Sequence, residues 1–216
     1  MTAPASLSAP LRRARISEEA LAEAFASCAA HGLVPDLRCN AYGLGLKRVS
    51  SLARETGLTH AYLSPAEHSM SALQAADGDG DRSTAWLEAS RPVVTLEADV
   101  VSLKRVPPGT PVSYGYHYRT KQETTLALVS AGFADGVPRT ASMKGRVSLG
   151  GTTHLIAGRI AMDQMVLDIG DTQVDVGDVA TVWGESPSLT QWSQWSGRPP
   201  ALLVSHLAPR VVKIWS

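Results

Sequence analysis

The chain has 216 residues, enough for one large domain or two small ones, and 44% of them are hydrophobic, so a core can form. Lys and Arg number 20, as do Asp and Glu; zero net charge argues against a nucleic-acid partner or an anionic membrane surface. No apolar run is long enough to span a bilayer, and Met1 to Arg13 show no apolar signal-peptide core. Cys28 and Cys39 make no disulfide framework, and neither CxxC nor HExxH spacing points to zinc. The expectation is a cytoplasmic protein with no metal.

In chain order, Ile16–His31 predicts a helix: Ser17 is the N-cap, Glu18 and Glu19 sit in the first turn, and Leu21, Ala24, Phe25 and Cys28 form the apolar stripe. Gly32 is its stop. Pro35–Asn40 reads as a strand ending at Ala41-Tyr42-Gly43, Leu46–Thr56 as a second helix stopped by Gly57, His60–Leu63 as a short strand, and Ala66–Ala76 as a third helix. Strand–helix–strand order implies parallel pairing. Asp77–Asp81 is an acidic, glycine-rich hinge that lacks the spacing and distal Glu of a calcium loop. Beyond it the texture is β: Val93–Ala98, Val100–Val106, Leu126–Ser130, Val147–Leu149, Met165–Ile169 and Val179–Trp183 read as strands, punctuated by Pro107-Pro108-Gly109, Gly150-Gly151 and Gly177-Asp178. Many short strands fit a small closed β-domain. Trp192 and Trp195 read as one packed helix face. The division expected is 1–82, an α/β segment, and 83–216, an all-β domain.

Two stretches resemble the alanine racemase family. Arg38-Cys39-Asn40-Ala41-Tyr42-Gly43-Leu44-Gly45 is similar to the family's Lys-Ala-Asn-Ala-Tyr-Gly-His-Gly motif. Pro111–Gly115, Gly132–Arg139, Gly158–Gln164, Val176–Asp178 and Trp183–Glu185 follow in family order at family-like spacing. The resemblance implies an all-β C-terminal barrel-like domain and, ahead of it, the remnant of a TIM-type barrel. That barrel needs about 250 residues, so the stretch before the β-domain holds roughly two βα units.

The departures from the family bear on chemistry. The family's lysine forms a Schiff base with pyridoxal phosphate; Arg38 stands in its place, and a guanidinium forms no such imine. The family's opposing tyrosine base is matched by Phe133, which has no hydroxyl. A further family tyrosine aligns with Ala201. These departures predict a chain that takes no cofactor.

Arg38, Tyr42 and Asp163 are the candidate catalytic residues, with His117 a weaker one that offers acid–base chemistry near neutral pH. Asn40, Tyr42, Tyr116, Phe133, Met162 and Gln164 are the candidate substrate-binding residues. Strand alternation puts Tyr114, Tyr116 and Tyr118 on one face and His117 on the other, and turns Cys39 away from Arg38 as a buried, inert thiol. Asp135 and Arg139 read as loop structure. The expected pocket lies in a homodimer, between Arg38–Tyr42 of one subunit and Met162–Gln164 of the other, with a small anionic guest. The alternative is that Arg38 and Asp163 neutralise each other and close it. Three functions remain open at this point. One is an isomerase, cyclase or lyase of secondary metabolism working without pyridoxal phosphate. The second is a non-catalytic binding or regulatory protein. The third is residual racemase chemistry through Lys47, Lys121 or Lys144.

Overall fold

The computed structural model describes residues 12–77 and 82–216; the signal-peptide reading of the N-terminus and most of the Asp77–Asp81 hinge lie outside them. Fourteen strands are described. The largest sheet runs in the order β13 (Val179–Trp183), β10 (Arg146–Leu149), β11 (Thr152–Ile156), β12 (Met165–Gly170), β9 (Thr124–Val129) and β6 (Val94–Val106), and β13 pairs back onto β6. The result is a closed six-strand barrel, which leaves no free edge in that ring. Its strands alternate as the sequence predicts: β12 reads buried–half-buried three times over, with Met165, Leu167 and Ile169 inward. Gly150 and Gly151, both with positive φ, turn β10 back into β11.

Three strands escape a reading based on composition. β11 was not expected, and β1 (Arg12–Ile16) and β14 (Val212–Trp215) add a two-strand flap: β1 lies antiparallel to β6 and parallel to β14. The expected pair Val93–Ala98 and Val100–Val106 is one long strand, β6, bent by an irregularity between Val100 and Ser102. It serves β1 along its first half and β9 along its second. Because β1 enters this sheet, the first strand among the described residues belongs physically with the C-terminal β-structure. The buried apolar residues of both segments form one cluster.

The helix α1 (Glu18–Ala30) is as expected, with the Ser17 side chain accepting from the Ala20 N–H. The second, α2 (Leu46–Glu55), also forms. Ala66–Ala76 is not a helix. Pro65 starts a 3₁₀ turn over Pro65–Met70, capped reciprocally by Ser64 and Glu67, and the chain then extends into β4 (Gln74–Ala75). β2 (Val34–Pro35) pairs in parallel with β5 (Arg82–Ser83), β3 (His60–Ala61) with β4, and an Asp36–Tyr62 bridge sets β2 beside β3. Parallel pairing therefore holds. Ladders only two residues long do not establish the expected TIM-type remnant. Two further helices, α3 (Leu189–Ser196) and α4 (Pro200–Ser205), close the barrel end, where buried Trp192 packs edge-on to Trp183 and Trp195. Among the described residues no helix is long and apolar enough to cross a membrane.

Candidate functional site

The stretch expected to be the end of a strand is a left-handed turn. Cys39, Asn40, Ala41 and Tyr42 have φ of 57°, 58°, 51° and 54°. Each such residue costs about 1–2 kcal/mol against the right-handed form, so the surroundings must hold it. They do so with polar contacts. The Glu67 carboxylate accepts from the Asn40 N–H at 2.5 Å and from the Ser64 N–H at 2.9 Å. The Asn40 side chain accepts from the Leu46 N–H at 2.8 Å and so caps α2. Ala41 is fully buried. Burial would raise the Glu67 carboxyl, but the two backbone donors outweigh it and hold it below its ordinary range. Asn40, expected to bind substrate, is thus spent on structure. Cys39 is exposed, because no strand alternation exists here to bury it.

At the centre of this turn is Asp36, a residue that the sequence reading passed over. It is 2% exposed. Arg38 donates to it through Nε at 2.9 Å and Nη2 at 2.5 Å, with its own backbone N–H adding a third bond at 3.1 Å. Tyr42 also donates to the Asp36 carboxylate. Burial pushes the carboxyl up; the bonds from Arg38 and Tyr42 overcome this and hold it low. Burial first, and the hydrogen bond to Asp36 second, push the Tyr42 hydroxyl above its usual range. The Arg38 guanidinium is made more basic still by the hydrogen bond to Asp36. The Trp86 indole N–H donates to the Asp36 carbonyl at 3.1 Å, and its ring lies 6.0 Å from that of Tyr42.

Phe133, Met162, Asp163 and Gln164 come together on a different part of the molecule. The Phe133 and Ala134 N–H groups donate to the carbonyls of Ala161 and Met162, at 3.0 and 2.9 Å, and the Ala161 N–H to that of Gln164 at 2.9 Å. Gly132 permits this approach: a Cβ there would lie 2.3 Å from the Met162 oxygen. Buried Asp135 stitches the turn, accepting from Arg210 at 2.6 Å and pairing with Arg12 at 3.0 Å. Arg210 reaches Asp163 as well, at 2.7 Å. The two charges expected either to grip a ligand or to cancel each other do not pair with each other within the chain: Arg38 is paired with Asp36, and Asp163 with Arg210. Phe133 and Met162 are exposed.

His117 and Tyr116 form a third place. Only Tyr118 lies on a strand, β8 (Tyr118–Arg119), where its hydroxyl donates to Asp168 at 2.5 Å. Residues 113–117 loop out instead of alternating, with positive φ at Ser113, Gly115 and Tyr116, and Tyr114 and Tyr116 are exposed. The His117 Nε2 accepts from Arg159 at 2.8 Å, since a guanidinium can only donate, so its lone pair is engaged. Among the described residues no His, Cys, Asp and Glu cluster could hold a metal.

Residues 93–215 match the family model for the alanine racemase C-terminal domain. The chain belongs to that family. The alanine racemase of Streptomyces coelicolor is 43% identical over 129 residues, 58% of this chain and 33% of that protein. The alanine racemase of Salinispora arenicola is 47% identical over 111 residues, 50% of this chain and 30% of that one. The chain therefore spans about a third of the length of these relatives. Among solved structures, the alanine racemase of a D-cycloserine-producing Streptomyces lavendulae shares the fold at TM-score 0.78 and 21% identity, over 97% of this chain and 98% of that one. The enzyme of Bartonella henselae does so at TM-score 0.78 and 17% identity, over 99% of this chain and all of that one, and it carries covalently bound pyridoxal phosphate. This corrects the expectation of a chain without a cofactor: the fold it shares is that of an enzyme that holds one. The expected cofactor-free isomerase, cyclase or lyase finds no support among these relatives, which are named alanine racemases.

Proposed function

We propose that this chain is a homodimeric, non-racemising member of the alanine racemase family that binds a small anionic ligand. The observation that carries this reading is the lock of Arg38 on buried Asp36. Arg38 stands where the resemblance places an imine-forming lysine, and a guanidinium doubly bonded to a carboxylate has no lone pair to offer a carbonyl or a proton. Phe133 supplies no hydroxyl opposite it. At the two positions that the resemblance assigns to the bases on either side of the reacting carbon, this chain therefore offers no base.

The relatives' name carries alanine, a small molecule with a carboxylate end, and this supports a ligand that presents a carboxylate or similar anionic group. Pyridoxal phosphate is itself a small anion and is the first ligand to try. Attachment through the motif position does not fit Arg38. An amine that does reach the motif is Lys213, whose Nζ donates to the Gly43 carbonyl at 2.5 Å. We read the segment from α1 to residue 82 as a shortened piece of the family's N-terminal barrel and 83–216, joined by β1, as its β-domain, in a cytoplasmic setting.

The homodimer is supported by Tyr114, Tyr116, Met143 and Met162, all exposed. Their segments are tied into one face: the Ser113 hydroxyl donates to the Arg159 carbonyl at 2.6 Å and the Ile160 N–H to the Ser142 hydroxyl at 3.0 Å. Apolar side chains gathered in this way mark an association surface. Sedimentation should give twice the 22.9 kDa chain mass; a monomer at micromolar concentration counts against the dimer. Purified protein given pyridoxal phosphate should not racemise alanine, and turnover above a heat-killed control overturns the reading.

A further inference from the structure

With the Arg38 guanidinium committed to Asp36 inside the chain, the anion needs another host. The geometry points to a cavity of about 360 Å³ lined by Phe133, Pro138, Arg139, Arg198 and His206 as a binding site for a flat-ring anion, a carboxylate or phosphate carried on an aromatic ring. This rests on the small-anion reading above and says where that anion goes.

The walls come from separate elements that the fold clamps together. One is the turn from Phe133 to Arg139, the other the segment running from the end of α3 through α4. Gly136 lets them meet: its φ is +104°, and a Cβ there would lie 2.4 Å from the His206 carbonyl oxygen. The Thr140 hydroxyl donates to the Ser196 carbonyl at 2.8 Å and fixes the second point of contact.

The charges facing the cavity are of one sign. Arg139 and Arg198 contribute guanidiniums, and no carboxylate is among the lining residues. Neither arginine takes part in the ion pairs found among the described residues, in contrast to Arg12, Arg13, Arg15, Arg38, Arg48, Arg91, Arg105 and Arg210. Asp135 sits next to this turn, but its carboxylate is taken by Arg12 and Arg210. His206 donates through Nδ1 to the Leu202 carbonyl at 2.8 Å, which leaves Nε2 available to a guest. Two guanidiniums suit a carboxylate or phosphate, which each can grip with paired N–H groups. The flat wall is Phe133, 39% exposed, with the Arg139 guanidinium carbon 5.8 Å from its ring centre. A ring on the guest can lie against Phe133 while its anionic group meets the arginines.

Calorimetric titration of the full chain with phenyl phosphate, inorganic phosphate and pyridoxal phosphate tests this. Wild type should bind both ring phosphates more tightly than inorganic phosphate, and binding should weaken with salt. The paired substitution Arg139→Ala and Arg198→Ala should weaken ring-phosphate binding at least about tenfold, with a melting temperature close to that of wild type because neither side chain takes part in an ion pair among the described residues. Arg139→Lys with Arg198→Lys should restore part of it, and Phe133→Leu should narrow the preference for ring phosphates. Lys213→Met should leave binding intact. If the double alanine variant binds pyridoxal phosphate as wild type does, this site is wrong while the small-anion reading stands. If wild type binds none of the three, both fall.

Discussion

The barrel and the segment around Asp36 are held in opposite ways. In the barrel, β6 alone runs for 13 residues, and its order comes from apolar side chains alternating into a closed ring. Around Asp36 the ladders are two residues long, four successive residues are left-handed, and order comes from a few carboxylates and amide groups in named positions. A barrel built on alternation tolerates exchange among apolar residues of similar volume. A turn that stores backbone strain depends on individual polar contacts, and strain of this kind gathers at functional places. The comparison teaches that Arg38, at the position where the resemblance places an imine-forming lysine, serves in this structure as a brace of the turn.

That contrast can be broken experimentally. The largest effect is expected from Trp192→Ala, which empties a fully buried site at the barrel end and should cost about 3–5 kcal/mol in urea unfolding. Because the apolar cluster is continuous across both segments, the loss should appear as one shifted transition. Two separated transitions would show that the segments fold apart. Next is Arg38→Ala, which strands the buried Asp36 carboxylate. The cost should be about 3 kcal/mol, at the low end for a buried pair because the guanidinium is over a third exposed. A cost near zero would remove Arg38 as a brace. The same carboxylate sets a pH dependence. Its folded pKa is depressed, so its contribution is fully present above the ordinary carboxylate value of about 4 and is lost as pH falls through the lower folded value. Glu67 acts in the same direction. Asp36→Asn should therefore flatten the acid side of the stability curve; an unaltered acid limb counts against this assignment. The smallest effect is at Asn40. Asn40→Ala should cost about 1 kcal/mol through the lost cap of α2, plus strain at positive φ, whereas Asn40→Gly relieves that strain and should cost less. Melting temperatures in the reverse order would mean that the turn is not strained.

Much of this molecule is legible in the sequence for a local reason. Ser17 ahead of Glu18 and Glu19 starts α1, Gly57 follows the end of α2, and alternation over Met165–Ile169 marks a strand, because caps and periodicity act within a few residues. The motifs from Pro111 to Glu185 place the C-terminal domain. Other features were hidden because their causes are distant in the chain. β1 and β14 are short strands that exist because the first half of β6, beyond its pairing with β9, is taken by β1, and β1 in turn pairs with β14. The Arg38–Tyr42 stretch is not a strand because Glu67, far along the chain, accepts from Asn40. No propensity scale writes four non-glycine residues into a left-handed turn. Asp36 carried a faint signal, two residues from Arg38 in a stretch of otherwise sparse charge, but only the turn reveals that the pair is bidentate and that Tyr42 joins it.

The sequence by itself determined the family, the β-texture of the second half and the two main helices, all of which reside in residue identity and short-range order. The tertiary structure alone decided which charges are spent and which are free. Arg38 and Asp163 looked available and are paired, with Asp36 and Arg210; Arg139 and Arg198 look ordinary in the sequence and face one cavity. The physical reason is that an ion pair forms between side chains that folding brings within about 4 Å, whatever their separation along the chain.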